Sequence, residues 1–193
     1  MLIGVVFTHQ INMLDIEISN FLNRFRTPQL TAFFQDFTDV GSWGVAIIGF
    51  IVAVLCLAYR KWFLSSLWIT SLIGGYALNI FIKSLVQRPR PTEALISGYG
   101  FPSGHAMMST VAYGMLCYYI LLFINNQFER VTITCLFTGL ILLIGFSRIF
   151  LEVHYFSDVI GGFCAGTVWL LFCIYTLNKY YKHRIRPQKL HIN

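Results

Sequence analysis

The chain has 193 residues, 56% of them hydrophobic and only 11% charged, with a mean hydropathy of +0.67 and a formal net charge of +6. A soluble domain carries roughly 25% charged residues, so these numbers exclude an ordinary soluble protein and suit one polytopic membrane domain over residues 1–193. Nucleic-acid binding is a weak reading of the positive charge, which is spread over short loops and a tail.

The first nine residues, Met1 to His9, are apolar but far shorter than the roughly 20 residues that cross a bilayer. They lack the basic start of a signal peptide and read as a stub or as what remains of a first span. Residues 11–38 follow as an interfacial amphipathic segment. Ile11, Leu14, Ile18, Phe21, Leu22 and Phe25 recur at helical spacing, and Leu30, Phe33, Phe34 and Phe37 repeat the pattern. Between them, Thr27-Pro28 has the form of an N-cap followed by proline at the first helical position. Asp15, Glu17, Arg24, Arg26 and Asp36 fall on the other faces. Docking of this segment against a neighbouring protein helix is the competing reading.

Five membrane-length runs come next, near 42–59, 62–85, 106–124, 131–150 and 159–178, which predict an all-α transmembrane bundle over 42–178. At about 1.5 Å per residue each run is roughly 27–36 Å long. Tyr59, Trp62, Tyr180 and Tyr181 sit at predicted ends, as interfacial aromatics do. Gly162-x-x-x-Gly166 and Gly74-Gly75 would let helices approach closely, although glycine is also simply tolerated in membrane helices. Cys56, Cys117, Cys135, Cys164 and Cys173 all lie inside apolar runs without ligand spacing and read as small buried hydrophobes.

The loops are asymmetric in charge. One side holds eight basic residues (Arg60, Lys61, Arg130, Lys179, Lys182, Arg184, Arg186 and Lys189) against the single acid Glu129. The other holds six basic residues against seven acids. Positive-inside bias then places the basic tail, 179–193, in the cytoplasm and the opposite loops outside. Every polar cluster of interest falls on that outer side.

There are three such clusters. Lys83 lies near the end of the second run, and Pro89 and Pro91 prevent that helix from continuing, which leaves Arg90 on a loop beside it. Pro102-Ser103-Gly104-His105 opens the third run, where free N–H groups and a partial positive charge make an anion site. Ser103 adds a hydroxyl, and Gly104 lets the backbone come close. Arg148 ends the fourth run, and His154 and Asp158 lead into the fifth at a spacing that shares one face if the stretch is helical. A carboxylate on one ring nitrogen fixes the tautomer and leaves the other nitrogen as a nucleophile. Three cations and helix N–H groups suit a phosphoryl group and the charge it gathers in its transition state. His105 is placed to protonate the departing oxygen and then deprotonate water. Each piece has a plainer reading: a helix-start histidine, a snorkelling lysine, a structural His–Asp bond. A metal site built from His105, His154 and Asp158 is a sharper rival, opposed by the three cations.

Lys-x6-Arg-Pro, Pro-Ser-Gly-His and Ser-Arg-x5-His-x3-Asp, in this order, resemble the three signature motifs of the type 2 phosphatidic acid phosphatase (PAP2) superfamily. They match at Lys83, Arg90 and Pro91, at Pro102 to His105, and at Ser147, Arg148, His154 and Asp158. The resemblance implies a PAP2-like helical membrane fold and a metal-independent, cofactor-free hydrolase. It implies that His154 forms a phosphohistidine, His105 acts as acid and base, and Asp158 orients His154. Lys83, Arg90, Ser103, Gly104 and Arg148 would hold the phosphate. Bacterial membrane members have six spans, where this chain has a stub in place of the first. The expected function is a lipid phosphatase at the outer face of the cytoplasmic membrane. Undecaprenyl diphosphate is the first substrate by similarity to compact bacterial relatives, with phosphatidylglycerophosphate, phosphatidic acid and lipid A phosphate also open. The alternatives are a catalytically silent lipid-headgroup binder or scaffold, and a vanadate-dependent oxidation enzyme, whose known forms are soluble. The roles of Arg88, Glu93 and Glu152 stay open at this level.

Overall fold

The computed structural model describes residues 9–91 and 98–185. Most of the N-terminal stub, Glu93 and the tail beyond Ile185 lie outside the described residues. Among the described residues, seven α-helices run in the order α1 (His9–Asn23), α2 (Pro28–Thr38), α3 (Trp43–Ala58), α4 (Trp62–Val86), α5 (Gly104–Leu121), α6 (Gln127–Phe150) and α7 (Phe156–Ile185), with a short 3-10 turn at Asp39–Gly41. Among the described residues there is no strand. The all-α expectation holds, and Thr27 caps α2 as its sequence suggests, its side chain accepting from Leu30 N at 3.2 Å with Pro28 in the first turn.

The count of spans differs slightly from the expected five. Among the described residues, four stretches are long and apolar enough to cross a membrane: Pro28–Ala58, Trp62–Val86, Gln127–Phe150 and Phe156–Tyr180. The first takes in α2, which the sequence assigns to the interfacial segment. The missing span is α5. This helix is ringed by α3, α4, α6 and α7, and Ala106, Met107, Ser109, Thr110, Val111, Ala112 and Tyr113 are all buried on it. A helix with no exposed residue needs little lipid-compatible exterior, so it can carry hydroxyls and small residues where a lipid-facing helix could not.

Packing along α5 is layered. Far from the polar loops, Leu67, Trp68, Met115, Tyr119, Cys173 and Leu177 join α4, α5 and α7. In the middle, Val45, Ala112, Tyr113 and Ile144 join α3, α5 and α6. Nearest the polar loops, Ala106, Ile149 and Val159 pack with Ile18 and Leu22 of α1. The Gly162/Gly166 pair does bring helices together: a Cβ on Gly162 would stand 2.7 Å from Ser103 O, and one on Gly166 2.8 Å from Met107 O. Several polar side chains inside the bundle find carbonyls, as a bilayer interior requires. Trp68 Nε1 donates to Gly49 O at 2.9 Å, Trp169 Nε1 to Ser71 O at 2.8 Å, and Tyr113 Oη to Val40 O at 2.6 Å.

Two expectations about burial are revised. Cys135 and Cys164 are exposed, while Cys117 and Cys173 are buried and Cys56 lies between; all five are free thiols. A membrane helix is apolar on its lipid side too, so an apolar run does not tell inside from outside. On α1, Leu14 and Phe21 point outward, and Asp15 is 2% exposed. The helix therefore turns much of its greasy face away from the bundle and a carboxylate into it.

Candidate active site

The C-terminal ends of α4 and α6 and the N-terminal ends of α5 and α7 meet at one end of the bundle, because successive antiparallel helices alternate direction. Those four ends carry the three polar clusters. Helix α4 stops at Val86, with Gln87 in the left-handed region at φ 53° and its N–H returned to Lys83 O at 2.9 Å. This lets the chain turn before Pro89, with Lys83 in the last helical turn and Arg90 on the loop. Lys83 Nζ donates to Tyr99 O at 2.5 Å, and Arg90 Nε donates to Gly98 O at 3.2 Å. Both cations are thus held by the far limb of the same loop.

Ser103 is the N-cap residue of α5, fully buried, and its own N–H donates to Asp158 O at 2.9 Å. Its side chain makes no capping bond. The first α5 bond runs from Met107 N to Ser103 O at 3.0 Å, so Gly104, His105 and Ala106 supply the N–H groups that a helix start leaves over. Ser103 Oγ and Arg148 Nε are both buried with no hydrogen-bond partner among the described residues. Orphaned buried donors are rare in folded proteins and ask for an explanation. Two of the four such atoms among the described residues belong to the expected anion cage; the others are Arg26 Nη2 and His154 Nδ1.

His154 and Asp158 come together by a different route from the one expected. His154 lies ahead of α7, which starts at Phe156, so the two do not share a helical face. Instead Asp158 sits at the third helical position and its Oδ2 accepts from Tyr155 N at 3.0 Å, half of a capping box. The same oxygen faces His154 Nδ1 at 3.5 Å. His154 and Asp158 are 2% and 0% exposed. Nδ1 makes no closer contact, and the carboxylate beside it favours the tautomer with the proton on Nδ1 and the lone pair on Nε2. Nε2 lies 3.4 Å from Arg90 Nη1, which also donates to Val153 O at 3.3 Å. Burial pushes the His154 imidazole down to about 4, with Arg90 and Lys83 reinforcing the drop and Asp158 opposing it. The ring is therefore neutral at ordinary pH.

Arg148, 7% exposed, is aimed by a contact that nothing in its own segment announces: its Nη1 donates to Thr38 Oγ1, on α2, at 2.8 Å. The Ser147 and Thr38 hydroxyls are 3.1 Å apart, and Ser147 Oγ donates to Ile144 O at 2.6 Å. His105 is half-buried beside Gly41, where a Cβ would stand 3.1 Å from its Cδ2. The charges of Arg148, Arg90 and Lys83 all act on His105, as does His154. All eight expected site residues thus meet at this end of the bundle. An apolar cavity of about 530 Å³ opens from His105 and Gly104 between α3, α4 and α5, walled by Val45, Leu72, Tyr76 and Asn79.

Sequence reasoning missed Asp15, Gly41 and Thr38, and left Arg88 unassigned. Arg88 is 6% exposed and bonded to Asp15 and Asp158, each at 2.7 Å. A signal did exist for Asp15, which stands in register with Ile11, Ile18 and Leu22 on one helical stripe. For Thr38 there was none.

The PAP2 superfamily profile matches residues 63–182, well over half of the chain and all three clusters. The chain belongs to the PAP2 superfamily. It is similar to phosphatidylglycerophosphatase B of Bacillus subtilis (strain 168), at 27% identity over 86% of this chain and 84% of that protein. It also resembles dolichyldiphosphatase of Saccharomyces cerevisiae, at 29% identity over 61% of this chain and 56% of that protein. The crystal structure of the first transmembrane PAP2 type phosphatidylglycerolphosphate phosphatase from Bacillus subtilis superposes with a TM-score of 0.82 at 26% identity, covering 91% of this chain and 90% of that one. Aquifex aeolicus LpxE superposes with a TM-score of 0.65 at 25% identity, covering 84% and 95% respectively. The fold is that of a PAP2 membrane phosphatase, and the protein is multi-pass.

Proposed function

We propose that this protein is a lipid phosphate phosphatase that works through a phosphohistidine on His154. One observation carries the reading: Arg90 Nη1 lies 3.4 Å from His154 Nε2, and the charges of Lys83, Arg90, Arg148 and His154 all converge on His105 at the open start of α5. A nucleophile facing a cage of cations suits phosphoryl transfer, where positioning and charge stabilisation do most of the work.

Nε2 attacks phosphorus and the bond to the lipid oxygen breaks, with His105, protonated once the anionic phosphate offsets the charges of Arg148, Arg90 and Lys83, giving that oxygen a proton. Asp158 stabilises the imidazolium that forms. His105 then takes a proton from water, whose oxygen attacks the phosphohistidine, releasing phosphate and restoring His154. The Ser103 hydroxyl and Gly104 N–H add donors for the phosphate oxygens. The apolar cavity beside His105 suits the substrate's hydrocarbon chain, the ordinary lining of a lipid pocket. The three cations oppose a divalent metal ion, so the reaction is taken as metal-independent.

The relatives named for phosphatidylglycerophosphate align over most of their length, and those named for dolichyl diphosphate over little more than half. Phosphatidylglycerophosphate therefore joins undecaprenyl diphosphate at the head of the substrates to be tried. Charge asymmetry of the loops supports a site on the outer face of the cytoplasmic membrane with the carboxyl terminus inside.

The test is inorganic phosphate release by detergent-purified protein, with EDTA present, from phosphatidylglycerophosphate, undecaprenyl diphosphate and phosphatidic acid. Turnover that persists in EDTA and disappears in His154→Ala is expected. Folded wild-type protein that releases phosphate from none of the three would overturn the reading. Turnover that survives His154→Ala would remove the phosphohistidine.

A further inference from the structure

One group of buried charges does not face the anion cage. Asp15 projects from α1 between the exposed side chains Leu14 and Ile16, and is itself 2% exposed. Its Oδ1 accepts from Ser157 N at 2.9 Å, and its Oδ2 accepts from Ser157 Oγ at 2.6 Å and Arg88 Nη2 at 2.7 Å. The same guanidinium reaches the other way: Nη1 donates to Asp158 Oδ1 at 2.7 Å and to Ser157 Oγ at 2.6 Å. Nη2 also reaches Asn12 Oδ1 at 3.3 Å, and the guanidinium carbon lies 4.4 Å from the centre of the Tyr155 ring. One planar cation is thus forked between a carboxylate on α1 and the carboxylate that faces His154.

The far end of α1 holds the start of the same loop. Asn23 Nδ2 donates to Glu152 Oε1 at 3.0 Å, Arg26 Nη1 pairs with Glu152 Oε2 at 2.6 Å, and Arg26 Nε donates to Phe150 O at 2.6 Å. Segment 150–158, which carries His154 and Asp158, is fastened to α1 at both ends.

Buried ion pairs seldom stabilise a fold more than apolar packing of the same volume, so their use here asks for a further reason. Asp158 lies within the fields of Lys83 and Arg90, two cations of the cage. Held by Tyr155 N alone, the carboxylate could turn toward them, move off His154 and occupy groups meant for the phosphate. A guanidinium clamped on Oδ1 prevents that turn and leaves Oδ2 on His154.

We propose that Arg88, held by Asp15, is a positioning residue: it fixes the Asp158 carboxylate toward His154, and so makes α1 part of the catalytic support. This rests on His154 being the nucleophile.

The experiment is a double-mutant cycle on full-length protein in detergent, with dioctanoyl phosphatidic acid as substrate and inorganic phosphate as product inhibitor. Arg88→Gln lowers kcat roughly 10- to 100-fold, the range of coupled neighbours. KM and the phosphate inhibition constant stay within about threefold, because the cage is untouched. Arg88→Lys restores part of the loss. In an Asp158→Asn background, Arg88→Gln costs less than about threefold, since the group it positions is already disabled. An equal loss in both backgrounds would make Arg88 merely structural and overturn the proposal. A phosphate inhibition constant that rises in step with the fall in kcat would do the same, by placing Arg88 on the phosphate. Unchanged kcat in folded Arg88→Gln also ends it. If that variant does not fold, Asp15→Asn is run through the same cycle, with the same outcomes deciding. His154→Gln separates the two readings. Activity surviving in it removes the phosphohistidine itself, whereas an inactive His154→Gln with an additive cycle removes only the role of Arg88.

Discussion

Thr38→Val tests whether α2 sets the phosphate cage. Valine matches threonine in shape and deletes only the hydroxyl. That hydroxyl accepts from Arg148 Nη1 at 2.8 Å and lies 3.1 Å from Ser147 Oγ. Because the Ser147 proton is already given to Ile144 O, Thr38 is the donor to Ser147 and the acceptor for Arg148. Removing it leaves a guanidinium N–H without its partner at a residue that is 7% exposed, where water cannot easily substitute. A hydrogen bond to a charged group contributes about 1.5–3 kcal/mol. If that energy aims Arg148 at the transition state, kcat/KM falls roughly 10- to 150-fold. Stability falls by a similar amount at most. Phosphate release from a lipid phosphate gives the rate, and thermal unfolding in the same detergent gives the stability. Thr38→Ser keeps the hydroxyl and should retain activity within about threefold of wild type. Wild-type activity in Thr38→Val would refute the reasoning. So would equal losses in the valine and serine variants, because the methyl contact and not the hydroxyl would then be responsible.

The His154 ring, held at about 4 against an ordinary 6.5, should stay neutral across physiological pH, and histidine-labelled NMR with His154→Gln for assignment reads this directly. Its folded value lies below its unfolded one, so its contribution to stability is complete above pH 6.5 and is lost as pH falls toward 4. That loss is on the order of 3 kcal/mol, and a titration midpoint near 6.5 would contradict it. Gly162→Ala should lower both the melting temperature and the activity, because its Cβ would meet Ser103 O at 2.7 Å and drive α7 from α5. Overpacking of this kind costs about 1–3 kcal/mol, whereas Gly139→Ala, with nothing within 4 Å of its Cβ, should melt no lower than wild type. Ala46→Phe, on the wall of the apolar cavity, should raise KM for a long-chain lipid phosphate roughly tenfold. Hydrolysis of a short soluble phosphate ester should be left near wild type, and equal effects on both would take the lipid chain out of this cavity.

Local signals carried much of the site. Lys83 lies a turn before two prolines, Ser103 and Gly104 open a helix, and Arg148 closes one. Those cues depend on neighbouring residues and survive without a fold. Partners distant along the chain leave no such trace. Thr38 reads as the polar end of an amphipathic segment, and its bond to Arg148 crosses 110 positions. The spacing of His154 and Asp158 was visible, but its helical explanation fails: the pair forms across a helix start, with Asp158 bonded to Tyr155 N. The span count differs by one for a related reason: hydropathy reports what a helix touches on average, and α5, ringed by four helices, has no exposed residue.

Composition and motif order by themselves determined that this chain is an all-α membrane protein of the PAP2 type. Both depend on chemistry that is local: apolar runs match a bilayer, and cations, helix starts and histidines keep their character wherever they are placed. Tertiary structure decided which way each side chain faces and which distant groups share a charge. It turned Asp15 inward on a helix that bears its greasy residues outward, and set Arg88 between two carboxylates. A buried charge is held by the groups that surround it in three dimensions, and spacing along one helix cannot name them.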